Sequence, residues 1–363
     1  MKKFTLFVAA IMASAAMLAE GTFSVEKVWE NLTVPAAADV RQGAGWDGQV
    51  FVVDRPAQKI KVITETAVSD YADTEAGAAV GIAVDGAGNI IVKNEWASTG
   101  SQSVQLCKKG ETTVTTVAFA DSKLGGRSDM ICAATGDVFS AEGGHVYISL
   151  GNDNSGLLCV KIANGAFVEL DTIAADWTVN SITLAAPVAD GVLVHTRGSF
   201  YGKWNPETGK TVQQNLPADM NKSTACLASF ELGGKLFYAY SASEILTGTN
   251  ATSDWMLYNV TDSVAVNAEK LYLKDHATTN ITSYGNFLTC QKVSDTEVHI
   301  YQYHPGNGAA LWKVTYTPAE EDDTTTAVEN TTATVKVQKL MRDGQVLMVR
   351  DGKTFNMMGQ EIR

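Results

Sequence analysis

The chain has 363 residues, room for one large β-domain or several smaller domains, and at this size about three quarters of the unfolded surface can be buried. Apolar residues make up 45% and charged residues 19%, which excludes a disordered chain. The net charge of −12 argues against nucleic acid and anionic lipid, because phosphate surfaces select clustered Lys and Arg.

Residues 1–19 read as a secretory signal peptide. Lys2 and Lys3 supply the positive start, residues 4–16 are apolar, and small residues at Ala13-Ser14-Ala15 and Ala19 precede Glu20. No later segment has the roughly 18 consecutive apolar residues of a spanning helix. The expectation is an exported protein, in the periplasm, on the cell surface or in the medium, with no membrane span.

Residues 21–318 alternate short runs of Val, Ile, Thr, Phe and Tyr with Gly, Asp and Asn turns, the pattern of a sandwich, barrel or propeller. One unit recurs at a spacing of about 40 to 50 residues, the range of a propeller blade. Its first copy runs from Gln42-Gly43-Ala44-Gly45-Trp46-Asp47-Gly48 into Gln49-Val50-Phe51-Val52-Val53-Asp54 and then Lys59-Ile60-Lys61-Val62-Ile63. The second turns from Gly81-Ile82-Ala83-Val84-Asp85 through Gly86-Ala87-Gly88-Asn89 into Ile90-Ile91-Val92-Lys93. Later copies centre on His145-Val146-Tyr147-Ile148, Val192-Leu193-Val194-His195, Lys235-Leu236-Phe237-Tyr238 and Val298-His299-Ile300-Tyr301. Stacked radially, such sheets bury each face on a neighbour. The expected fold is an all-β, six-bladed β-propeller; seven blades would need one merged into its neighbour. Residues 25–34 resemble residues 311–318 in pattern and are expected to close the ring as an outer strand of the last blade.

The first two units resemble the NHL-type propeller repeat, through Gly81-Ile82-Ala83-Val84-Asp85-Gly86-Ala87-Gly88-Asn89-Ile90-Ile91-Val92 and, more loosely, Gly45-Trp46-Asp47-Gly48-Gln49-Val50-Phe51-Val52-Val53-Asp54. The shared part is a tight, Gly-dependent turn between two strands. The resemblance implies an architecture and no activity.

Residues 319–334 are acidic and Thr-rich and read as a linker. Residues 335–363 follow as a small C-terminal β-meander of three strands, punctuated by Arg342-Asp343-Gly344 and Arg350-Asp351-Gly352. This segment resembles the C-terminal sorting tails of type IX-secreted proteins of the Bacteroidetes. The matching residues are Gln345-Val346-Leu347-Met348-Val349-Arg350-Asp351-Gly352-Lys353-Thr354-Phe355-Asn356 and Met358-Gly359-Gln360-Glu361-Ile362-Arg363. The segment is shorter than those tails and lacks their Pro-Asn-Pro-like opening. The resemblance implies export machinery as a partner.

No catalytic constellation stands out. His145, His195, His276, His299 and His304 form no metal pair at strand or helix spacing, and neither a Gly-x-Ser-x-Gly elbow nor a phosphate loop occurs. Asn152-Asp153-Asn154-Ser155-Gly156 is oxygen-rich but lacks the downstream Glu of a calcium loop, so it reads as a turn. Cys107, Cys132, Cys159, Cys226 and Cys290 sit in apolar runs and read as buried small hydrophobes, with any disulfide pairing open. No metal or cofactor is expected, and no catalytic residue can be assigned.

The ends of the second strands point to one face of the disc. They bring Asp54, Arg55, Asn94, Glu95, Trp96, Asn152, Asp153, His195, Arg197, Tyr240, Ser241, Tyr303 and His304 towards an axial mouth. Polar and aromatic groups at such a mouth suit an extracellular glycan or protein. The expected function is a secreted, non-catalytic binding protein. The alternative is a propeller hydrolase, lyase or lactonase acting on glycans, with a divalent cation at the acidic, His-bearing mouth.

Overall fold

The structure is a computed structural model. It describes residues 21–36, 40, 42–75, 81–93, 99–125, 127–151, 156–174, 183–188, 191–196, 200–205, 209–213, 226–241, 251–274, 278–279, 286–319, 338–342, 345–350, 353–355 and 361–362. Thr22–Pro318 forms one compact unit, and the strands of the tail belong to another. No α-helix occurs among the described residues.

Strand β1 (Thr22–Asn31) precedes the first blade. Blade 1 holds β2 (Gly43–Trp46), β3 (Gln49–Asp54), β4 (Lys59–Ile63) and β5 (Val68–Asp73). Blade 2 holds β6 (Gly81–Val84), β7 (Ile90–Lys93), β8 (Thr99–Cys107) and β9 (Val114–Gly125). Blade 3 holds β10 (Arg127–Gly136), β11 (Gly144–Gly151), β12 (Gly156–Ala163) and β13 (Ala166–Ala174). Blade 4 holds β14 (Thr183–Val188), β15 (Gly191–Thr196), β16 (Phe200–Asn205) and β17 (Gly209–Gln213). In blade 5, β18 (Leu227–Leu232), β19 (Lys235–Ser241), β21 (Trp255–Asn259) and β22 (Val264–Ala265) pair in that order, while β20 (Ala251–Thr252) pairs with β23 (Thr278–Thr279). Blade 6 holds β24 (Phe287–Lys292), β25 (Glu297–His304) and β26 (Gly308–Thr317), with β1 as its fourth strand. Among the described residues of Thr22–Pro318 these are six four-stranded antiparallel sheets, the number expected.

The ring closes through β1. It pairs antiparallel with β26, Val25 opposite Val314 and Trp29 opposite Leu311, with a bulge between Lys27 and Trp29. The outer edge of the last blade is thus supplied by the start of the chain. Trp29 packs with Val50, Ile63, Tyr301 and Leu311, and its indole N–H donates to the Gly48 carbonyl at 3.2 Å.

Burial explains which residues form which strand. Inner strands lie between two neighbouring blades, so β3 reads as a continuous apolar run with Val50, Phe51, Val52 and Val53 all buried. In blade 2, Ile90 and Val92 face blade 1 while Ile91 faces blade 3, as the two-residue period of a strand requires. Outer strands such as β5, Val-Ser-Asp-Tyr-Ala-Asp, are mostly exposed and carry charges.

The tail forms its own antiparallel meander of β27 (Gln338–Arg342), β28 (Gln345–Arg350), β29 (Lys353–Phe355) and β30 (Glu361–Ile362). It has four strands, where the sequence reading expects three. Glu361 and Ile362 add a short fourth strand, with Thr354 opposite Ile362 and Phe355 opposite Glu361.

Candidate functional site

Each blade places its first strand at one end of its sheet, and five of these strands, β2, β6, β10, β18 and β24, enclose an axial channel of about 280 Å³. Crowding near the axis selects small residues. Gly43, Ala44, Gly45, Ala83, Ala133, Ala134 and Ala228 all lie on its wall. The two glycines have a specific reason. A Cβ at Gly45 would lie 1.8 Å from Cγ of Tyr301, and one at Gly43 would lie 2.6 Å from Cγ of Tyr303. The tyrosine rings of blade 6 thus press flat on the backbone of β2.

An innermost strand leaves one edge of backbone groups unpaired, and buried backbone polar groups need partners. Short side chains from the next blade supply them here. Gly45 N–H donates to Thr289 Oγ1 at 2.9 Å, and Ile82 N–H donates to Gln42 Oε1 at 3.2 Å. The Cys226 thiol donates to the Leu288 carbonyl at 3.2 Å, and the Leu288 N–H donates back to its sulfur at 3.3 Å. Cys290 donates to the Ser229 carbonyl at 3.2 Å. The two cysteines therefore bolt blade 5 to blade 6. Burial pushes the Cys226 thiol up to about 11 and that of Cys290 to about 12, the latter also raised by Cys226, so both are neutral thiols.

The Asp-x-x-Gly-Asn turn closes the far end of β6. Asp85 is buried, and its carboxylate accepts four hydrogen bonds: from the amides of Ala87, Asn89 and Val138 and from Asn89 Nδ2, at 2.9 to 3.0 Å. Val138 belongs to the next blade. Asn89 Nδ2 also reaches Asp137 Oδ1 there at 2.9 Å. The motif that resembles a repeat signature is thus an interblade clamp. Trp46-Asp47-Gly48-Gln49 makes the equivalent turn in blade 1, with Asp47 at φ 50° and Gly48 at φ 78°. Asp47 N–H and Gly48 N–H donate to Gln291 Oε1 and the Tyr301 hydroxyl of blade 6, each at 2.9 Å.

The structure redistributes the residues expected at the mouth. Asp54 ends β3 on the side of its sheet where β2 begins. Its carboxylate, however, accepts from Ala57 N–H at 3.1 Å and pairs with Lys61 at 3.6 Å, so it secures its own turn. Arg55 follows it in that turn. Tyr240 is a correction: it is buried with Leu193, Leu227, Tyr238 and Met256 between blades 4 and 5. Ser241 beside it is also buried. Tyr303 is a second correction, buried against Gly43 with Trp29, Val52 and Phe287. His304 is fully buried, and its Nδ1 accepts from Asn307 Nδ2 at 2.8 Å across the following turn. These four fail as rim residues because the second strand is still flanked by neighbouring blades where it ends. Backbone pairing places His195 on β15 opposite Leu184, with its side chain outside the described residues. Asn94, Glu95, Trp96, Asn152, Asp153 and Arg197 lie outside them as well.

Among the described residues, no three His, Cys, Asp or Glu side chains gather as a metal site would require. His299 Nε2 lies 2.8 Å from Glu297 Oε1 on the same strand, and burial holds the His145 imidazole below its usual range. The sequence reading missed the wall residues Gln42, Ser229 and Thr289. Their signal is the small or short polar residue at the first strand of each repeat, where the blades converge.

The fold defines the class: a six-bladed β-propeller with an axial channel. No family model matches the chain, and no curated protein matches it. Among solved structures it is similar to a DUF4623 family protein from Bacteroides eggerthii, with a TM-score of 0.55, 9% identity and coverage of 82% of this chain and 77% of that one. It is also similar to a structural-genomics protein of unknown function from Bacteroides thetaiotaomicron, with a TM-score of 0.52, 12% identity and the same coverage of both chains. A streptogramin B lyase matches at a TM-score of 0.46 and 12% identity, over 82% of this chain and 99% of that one. At such identities the likeness to the two Bacteroides proteins shows the shared fold alone.

Proposed function

We propose that the chain is an exported binding protein that receives its ligand at the axial channel and performs no chemistry on it. The carrying observation is the engagement of the channel's reactive groups. The Asp85 carboxylate has its acceptor sites filled from two blades, and the two thiols cap backbone groups as neutral donors. A general base or nucleophile needs a group that can reach substrate in the right protonation state, and the described wall offers none. An extracellular glycan or protein is the expected partner, with the C-terminal meander serving export. The residues that carry this localisation are the apolar leader and the tail, and N-terminal sequencing of exported material should begin after about residue 15 to 21.

The test pairs binding with turnover. Purified mature protein is screened against glycans and exported proteins by calorimetry, and each hit is then incubated and analysed for products. Saturable binding without product supports the reading. Catalytic consumption of a bound glycan or lactone overturns it.

A further inference from the structure

Resting on that binding reading, we infer that the part of the ligand enclosed by the channel is uncharged and apolar, a slender aliphatic or aromatic group. Three observations lead there. The first is size. At about 280 Å³ the channel falls at the small end of ligand pockets, which run from about 300 to 1,000 Å³, and suits a slender group. The second is the wall. Trp46, Val84, Ala134, Cys226 and Cys290 line it from five blades and are partly exposed, so the side chains it meets are apolar or neutral.

The third is charge. Asp85 is the sole ionisable carboxylate on the described wall, and no Lys, Arg or His accompanies it. Its charge is already met by four donors, three of them backbone amides. An anion in the channel would find no counter-charge, and a cation would find a carboxylate whose acceptor sites are filled. Leaving an ion unpaired in such a site costs far more than burying a neutral chain of the same shape. Thr289, Gln42, Cys226 and Cys290 each hold a backbone group of the neighbouring blade, so these four wall side chains are already engaged.

The test uses three probes of matched size on the full mature chain: 1-octanol, octylammonium and heptanoate. Calorimetry should show saturable 1-octanol binding, with both ions at least about tenfold weaker. Ala134→Phe, which places a ring on the half-buried wall, should abolish 1-octanol binding. If that variant misfolds, the unsubstituted protein gives the second measurement. Cys226 and Cys290 line the channel and are partly exposed, so 1-octanol should slow their modification by a small neutral methanethiosulfonate, read by peptide mass spectrometry. Equal binding of either ion, or thiols that 1-octanol leaves unprotected, overturns the inference. A glycan or protein partner that binds Ala134→Phe as tightly as the parent, with 1-octanol binding absent from both, sinks the channel assignment and leaves the binding reading standing. No binding by any probe or partner overturns both.

Discussion

Gly45→Ala separates interblade packing from backbone conformation. The added methyl would lie 1.8 Å from Cγ and 2.2 Å from Cβ of Tyr301, where carbon atoms normally rest about 3.5 to 4.0 Å apart. Because Cβ itself collides, no rotamer change of Tyr301 relieves the overlap. The ring is also pinned, with its hydroxyl donating to Gln291 Oε1 at 2.6 Å and accepting from Gly48 N–H at 2.9 Å. Blade 6 must therefore move away from β2. Overpacking costs about 1 to 3 kcal/mol, occasionally more, and each lost hydrogen bond adds about 0.5 to 1.5 kcal/mol. The expected loss is about 3 to 5 kcal/mol. Gly48→Ala is the control. Gly48 has φ 78° with nothing within 4 Å of an added Cβ, so only the left-handed backbone penalises the change, by about 1 to 2 kcal/mol. Urea unfolding followed by tryptophan fluorescence gives both midpoints. If Gly45→Ala proves no more destabilising than Gly48→Ala, the tight seam between β2 and blade 6 does not exist as described.

Trp29→Ala removes the anchor of the closing strand and should cost about 3 to 5 kcal/mol on the same assay; a loss below about 1 kcal/mol would refute closure through β1. Asp85→Ala orphans two buried amides, one part-buried amide and one side-chain donor across two blades, and a loss of about 3 kcal/mol is expected by chemical denaturation. The hydrogen bond from Lys109 holds the Asp47 carboxyl below its ordinary range, against the opposing cost of burial and assisted by Lys109's charge. That stabilisation is present above the unfolded carboxyl value and lost as pH falls through the folded one. Asp47→Asn should therefore trim the acid sensitivity of the urea midpoint below about pH 4, by a small amount because the pair is exposed. Limited proteolysis should cut first within residues 319–334, whose composition cannot offset ordering entropy, and leave a folded core ending near Pro318. A truncation at Pro318 that unfolds would show that the meander belongs to the propeller.

Much of the fold was legible because strand and turn signals are local. Lys59-Ile60-Lys61-Val62-Ile63 reads as a strand and is β4, and Asp47-Gly48 reads as a tight turn and has both residues at positive φ. The partner of residues 25–34 was legible because an outer strand must match its neighbour's alternation. The exposed outer strands were not. β5, β13 and the two residues of β22 present polar or solvent-facing side chains, so no apolar period marks them.

The site was the least legible part. Alternation along β19 and β25 shows that Tyr240 and Tyr303 share a strand with core residues. It says nothing of whether the opposite face meets water or another sheet. Ring stacking decides that, and it buries both rings. The need for glycine at Gly43 and Gly45 likewise shows only when blade 6 is brought round to lay Tyr303 and Tyr301 on them. The sequence by itself determined the inner strands, their turns and their repeat. Only the tertiary structure decided which of them converge on the axis, because contacts between the first and last blades join residues more than two hundred positions apart, as between Gly45 and Thr289.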